Sequence, residues 1–190
     1  LFSLLRYVEF FVLALLLFHL AKLAGPVDYG KATIAFLSIS YSAYFVLGVN
    51  QSLVKNYSFE QDAEKKVFIA QFSLLYNFAV SFVAFICIYL LLLHQPFAFA
   101  VALICCLNIV LNAVLNIFRL ASTTLHINIS RMVFVIVLSV LYWMLVNNIT
   151  TYFFYYAMSL AAATVVSFYF LLRTGLLHFR IKPLSNYVSH

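Results

Sequence analysis

The sequence predicts an all-α polytopic membrane protein, a bundle of six transmembrane helices, and three observations carry that prediction. Hydrophobic residues make up 66% of the 190-residue chain and charged residues only 8%, against about 25% charged in a soluble domain. That is too little polar surface to cover a globule in water. The apolar residues come in long blocks, and blocks of about 18 or more read as membrane-spanning helices. The blocks lack the alternation of barrel strands and are about twice their length, which sets a β-barrel aside.

Six spans are predicted, at residues 2–24, 32–54, 67–93, 97–118, 129–147 and 151–173. At about 1.5 Å per residue each crosses an apolar core of about 30 Å. Their breaks have physical causes. Gly25-Pro26 ends the first, because glycine accepts a left-handed C-cap and proline cannot continue a helix; Asp28 and Lys31 keep that turn in water. Residues 55–66, KNYSFEQDAEKK, form the strongly charged run. There Ser58 followed by Gln61 resembles a capping box, predicting a short surface helix that leads into the third span. His94-Gln95-Pro96 breaks the third span from the fourth, the polar stretch STTLHINISR the fourth from the fifth, and Asn147-Asn148 with Thr150-Thr151 the fifth from the sixth. The domain expectation is a lobe over 1–173 followed by a tail or linker over 174–190.

Charge sets the orientation. With the N-terminus in the cytoplasm, Arg6, Lys55, Lys65, Lys66, Arg119, Arg131, Arg173, Arg180 and Lys182 fall inside and only Lys22 and Lys31 outside. Nine against two is the positive-inside bias, and it places both termini in the cytoplasm. It also accounts for the net charge of +6 without a nucleic-acid partner. Trp143, Tyr142, Tyr152, Tyr155 and Tyr156 gather at the opposite boundary as an aromatic belt. The first apolar segment is longer than a signal-peptide h-region and contains Glu9, so it is read as a span.

Polar residues at depth are arranged in stripes. Asn108, Asn112, Asn116 and Arg119 on the fourth span fall within a wedge of about 80°, at 100° per residue, and Cys105 joins them. The second span places Ser40, Tyr44, Gly48, Gln51 and Lys55 on one face. The third does so with Ser73, Asn77, Ser81 and Ala84, and the sixth with Tyr155, Ser159, Ala163 and Ser167. The fifth is nearly all aliphatic, with Ser139 its main polar group, which suits a peripheral, lipid-facing helix. Such stripes serve either as packing contacts, small residues allowing close approach and amides bonding across the interface, or as the lining of a wet cavity. Packing suits the sixth span. The third admits both. Three asparagines and a cation on the fourth, and a stripe ending in Lys55 on the second, exceed what packing requires and predict a cavity. Glu9 either pairs with Arg6, one turn away, or faces that cavity.

Catalytic and metal chemistry are not expected. Cys87, Cys105 and Cys106 lie inside apolar blocks without ligand spacing, and the five histidines are scattered. No nucleophile elbow, P-loop or paired carboxylate appears in the sequence, so neither an enzyme nor a cofactor is predicted.

The segment AKLAGPVDYGKATIAFLSIS, followed by YFVLGVNQSLVKNYS, resembles the N-terminal region of polysaccharide flippases of the Wzx type. These belong to the multidrug/oligosaccharidyl-lipid/polysaccharide exporter superfamily. The resemblance rests on Gly25-Pro26-Val27-Asp28-Tyr29-Gly30 after the first span, and on Leu47-Gly48-Val49 with Lys55 at the end of the second. It covers about the first 60 residues; beyond them it rests on helix count and loop placement. The chain departs from the pattern where the family's first helix often carries a proline, since Phe18 and His19 stand there. It also carries few deep arginines, where some relatives have many.

The resemblance implies the N-terminal lobe of a two-lobed exporter in a bacterial inner membrane, completed by a second six-helix lobe or by a dimer mate. The implied partner is a polyprenyl-diphosphate-linked oligosaccharide that enters from the membrane lipid. Tyr44, Gln51, Asn77, Asn108, Asn112 and Asn116 would meet its sugars, and Arg6, Lys55 and Arg119 its diphosphate. Glu9 would serve ion coupling. A small-molecule antiporter of the same superfamily, and a membrane scaffold or anchor subunit of a glycan-assembly complex, are the competing expectations.

Overall fold

The computed structural model describes residues 2–121 and 123–173, with side chains from residue 7 onward. The Arg6 side chain and the segment 174–190 therefore lie outside the described residues. The described chain is helical, with no strand: α1 (Phe2–Tyr41), a 3₁₀ turn (Ser42–Val46), α2 (Val49–Phe59), α3 (Ala63–Leu91), α4 (Ala98–Leu120), α5 (Thr124–Leu145) and α6 (Ile149–Arg173). Five of these helices are long and apolar enough to cross a membrane, and α2 is not among them. The coarse prediction of a multi-pass helical membrane protein holds.

α1 is one element only in name. Gly25 inside it has φ 73° and ψ 170°, a backbone region open almost only to glycine. Pro26 follows, its fixed φ suited to the first turn of a new helix. The chain turns back there, as neighbouring contacts establish. Leu23 and Ala24 before the break, and Asp28 and Lys31 after it, line one cleft with Gln95, Pro96, Phe97 and residues 147–150. Three connections thus meet at one end of the bundle, called here the Pro26 end. Before the break, His19 reaches Tyr142, near the close of α5. After it, the Phe36 ring packs at a tilt against Tyr152 and Phe153, within the first turns of α6. Further on, Ser42 reaches Asn108, well inside α4. The arms 2–24 and 26–41 both lead away from the Pro26 end, and each spans about 34 Å once the 3₁₀ turn is added to the second.

The predicted second span, 32–54, is not one helix. Leu47 and Gly48 both take left-handed backbone angles, φ 49° and φ 81°, and α2 restarts at Val49 on a new register. Ser40 and Tyr44, before the break, therefore do not continue the face of Gln51 and Lys55 as one helical stripe. Ser42 and Val46 turn inward, while Tyr44, Gln51 and Lys55 are exposed. The predicted cap is replaced as well. Ser58 bonds back to the Val54 carbonyl, and Asp62 caps α3 by accepting the Glu64 amide at 2.9 Å. Asn148 caps α6 by accepting from the Thr151 amide at 2.8 Å.

α4 occupies the centre. It packs most extensively on α3 and α6 and also touches α1 and the 3₁₀ turn. Its buried positions include Ala98, Ala100, Ala102, Cys105 and Ala113, small side chains that let neighbouring backbones come close. α5 exposes Ile136, Val140 and Trp143, as a peripheral helix should, but its other face lies on α6 and α1. The aromatic belt is corrected in part. Trp143 faces outward, whereas Tyr142 and Tyr152 are each only 2% exposed and belong to a ring cluster with Phe36, Phe97 and Phe153.

The hinge makes a paired prediction. Gly25→Ala forces a Cβ into a glycine-only conformation and lowers stability by about 1–3 kcal/mol. Gly30 sits in a helix where an added Cβ meets nothing within 4 Å, so Gly30→Ala leaves stability unchanged or raises it by up to about 1 kcal/mol. Unfolding of the two purified variants in mixed micelles, with denaturing detergent titrated in, reads both.

Candidate functional site

Among the described residues, two clusters of polar side chains lie inside the bundle apart from the His19–Tyr142 contact.

The first cluster is built of amides. Asn108 donates through Nδ2 to Ser42 Oγ at 2.8 Å, and Ser42 in turn donates to the Ile39 carbonyl at 2.8 Å. The 3₁₀ turn is what aims Ser42 at α4. Asn112, one turn on, donates to Asn108 Oδ1 at 3.1 Å. Asn112 and Asn116 are half-buried and Arg119 is exposed, so the row opens as it runs from mid-helix to the end opposite Pro26. On α3, the stripe of Ser73, Asn77, Ser81 and Ala84 is buried throughout. Asn77 donates to the Ser73 carbonyl at 2.7 Å and to Asn50 Oδ1 of α2 at 3.3 Å. The carbonyl partner fixes the amide's orientation and turns Oδ1 away, and that oxygen is buried without a partner. An unmet buried acceptor costs about 1–3 kcal/mol, recovered by any donor that reaches it. Asn77 and Asn112 each sit about four turns from the connection between α3 and α4, hence at the same depth.

The second cluster holds a half-buried ion pair. Arg131 Nη1 of α5 donates to Glu9 Oε2 of α1 at 2.9 Å, with the two side chains 20% and 13% exposed. Arg131 Nε is buried without a partner. Tyr156 of α6 lies within electrostatic range of both Glu9 and Cys105. Next to this pair Ser130 and Ser167 bond to each other at 2.7 Å across α5 and α6. Ser159 and Ser167 also donate to carbonyls four residues back, so the sixth-span stripe is a packing contact, as expected.

Of the predicted site residues, the structure brings together Asn108, Asn112 and Asn116 as a row and sets Asn77 level with it. Arg119 extends the row as an exposed terminus. Tyr44, Gln51 and Lys55 are exposed on the 3₁₀ turn and α2, separate from the row. Glu9 is half-buried, with Arg131 as its partner. Sequence reasoning missed Ser42, Asn50 and Arg131. The sequence reading places Arg131 at the cytoplasmic start of the span 129–147, as one of the inside charges. The helix begins at Thr124, and the spacing of His126, Ser130 and Phe134 was the available signal. No metal cluster of His, Cys, Asp or Glu occurs among the described residues.

Comparison with known proteins is negative: no family model, no curated protein and no solved structure matches the chain.

The amide row yields a measurable coupling. Ser42→Ala and Asn108→Ala each destabilise the bundle, and a double-mutant cycle between them returns a coupling of about 0.6–2 kcal/mol, the range for hydrogen bonds between membrane helices. Asn112→Ala, one turn further along the row and without a direct bond to Ser42, couples to Ser42 less strongly than Asn108 does.

Proposed function

We propose that the chain is the N-terminal lobe of a membrane exporter of the Wzx polysaccharide-flippase type, moving a polyprenyl-diphosphate-linked oligosaccharide by alternating access. One observation carries the reading. The helix most enclosed by the bundle is also the one with three half-buried asparagines in a row that ends at an arginine. Packing can use such an amide to bond a neighbouring helix, as Asn108 does with Ser42, but it does not require three of them in line. Amides with unspent donors and acceptors suit a hydroxyl-rich ligand, and Arg119 at the open end suits its phosphates. In this reading each arm of α1 makes its own crossing, giving six crossings with both termini on the cytoplasmic side. The apolar outer faces meet lipid, and the open side of the amide row meets a second lobe or a dimer mate.

A specific observation favours a scaffold for part of the molecule, since the stripes of α3 and α6 are closed into packing contacts. Thiol accessibility separates the two readings. In a background with Cys87, Cys105 and Cys106 replaced, single cysteines at Asn112 and Asn116 react with membrane-impermeant maleimide, and lipid-linked oligosaccharide slows the reaction severalfold. Cysteines at Ser73 and Ser167 stay unreactive. If Asn112 and Asn116 are equally silent from both sides of the membrane, the row is packing and the exporter reading fails.

A further inference from the structure

The geometry points to the cleft at the Pro26 end as a second ligand site, shaped for a single uncharged sugar unit. It lies at the end of the bundle away from the opening of the amide row, and its occupancy is independent of what that row does. With both termini in the cytoplasm, as proposed, this end faces outward.

Three connections build the cleft: the turn after Gly25, the link from α3 to α4 and the link from α5 to α6. Its volume is about 300 Å³, at the lower end of the range for ligand pockets, which suits one sugar ring rather than a chain of them. The floor is apolar. Phe97 and Ile149 are 3% and 7% exposed there, and Ala24 is half-buried. The rim is polar and open to solvent. Asp28 and Lys31 come from the first connection, Gln95 from the second, and Asn147, Asn148 and Thr150 from the third. An apolar floor under a polar rim matches a pyranose, whose C–H face is apolar and whose hydroxyls project around its edge.

Local structure uses part of the rim and leaves the rest. Asn148 caps α6, accepting from the Thr151 amide at 2.8 Å and donating to Asn147 Oδ1 at 3.0 Å. The Gln95 side chain, the Thr150 hydroxyl and Asn147 Nδ2 have no hydrogen-bond partner among the described residues. Lys31 Nζ meets Asp28 Oδ1 at 3.2 Å, which leaves the ammonium further donors and the carboxylate its second oxygen. The rim thus offers spare donors and spare acceptors together, and a hydroxyl, which both donates and accepts, can use both. The two charges cancel. An anion drawn to Lys31 meets Asp28, and a cation drawn to Asp28 meets Lys31, so the rim favours a ligand without charge. Exposed as it is, the ion pair adds little to stability, and removing it probes the site without unfolding the bundle.

Saturation-transfer difference NMR on the full-length protein, in lipid nanodiscs free of glycoside detergent, tests the assignment. Glucose, galactose and N-acetylglucosamine are the probes; inorganic phosphate and glycine betaine, an anion and a zwitterion, are the comparators. At least one sugar binds, and neither comparator displaces it. Asp28→Asn weakens that binding about tenfold, the loss of a hydrogen bond to a charged group, and Gln95→Ala about threefold. Both variants unfold at the temperature of the unaltered chain. Thr150→Cys, carrying a bulky maleimide in a background with Cys87, Cys105 and Cys106 replaced, abolishes the sugar signal. No sugar signal above that of empty nanodiscs, displacement of the sugar by phosphate or betaine, or a sugar signal that survives Asp28→Asn or the labelled cysteine at full strength, overturns the proposal.

Discussion

A polar side chain that enters an apolar slab must meet another polar group, because no water is there to receive it. This constraint orders the structure more than any apolar contact does. Glu9 enters with the first arm and Arg131 with α5, and they meet at 2.9 Å. Asn108 enters with α4 and meets Ser42, which reaches it only because the second arm tightens into a 3₁₀ turn there. Ser130 and Ser167 meet across α5 and α6. Each pairing selects one rotation of a helix about its own axis, something that leucines facing leucines or lipid do weakly.

α4 follows from the same constraint. Helices that line one another closely need small residues, and α4, packed most extensively on α3 and α6, buries alanines and a cysteine. Its asparagines lie on the remaining side, where the second arm and α2 cover the mid-helix and leave the end open. The row is half-buried at Asn108, Asn112 and Asn116, the first two hydrogen-bonded, and becomes exposed at Arg119. Asn77 approaches the row from α3 at matching depth, with one oxygen unmet. A row of amides that opens at one end is a different object from a closed hydrogen-bond network, which would leave no capacity for a ligand.

Much of the fold was legible in the sequence. The long apolar blocks gave helices whose ends mostly fall within a few residues of expectation, and Gly25-Pro26 announced the reversal. Packing of the α6 stripe was legible too, since serine and alanine at four-residue spacing suit close approach whatever the neighbour. The errors have physical causes. An unbroken second helix was assumed over residues whose apolar character conceals a register break at Leu47-Gly48, and left-handed angles at a leucine leave no mark in composition. Tyr142 and Tyr152 were assigned to the boundary because tyrosine is common there. They are buried because His19, Phe36 and Phe153 form a polar and aromatic pocket around them, which only the meeting of three helices creates.

By itself the sequence determined the solvent and the elements: too few charges for water, blocks of membrane length, and breakers between most of them. It also determined that α4 would show asparagines at helical spacing along one face, since that is a matter of periodicity within one helix. The partners were decided by tertiary structure alone. Glu9 takes Arg131 and Asn108 takes Ser42, residues 122 and 66 positions apart. Periodicity fixes which face of a helix is polar, whereas which other face it meets depends on how helices pack, and that is a property of the whole bundle.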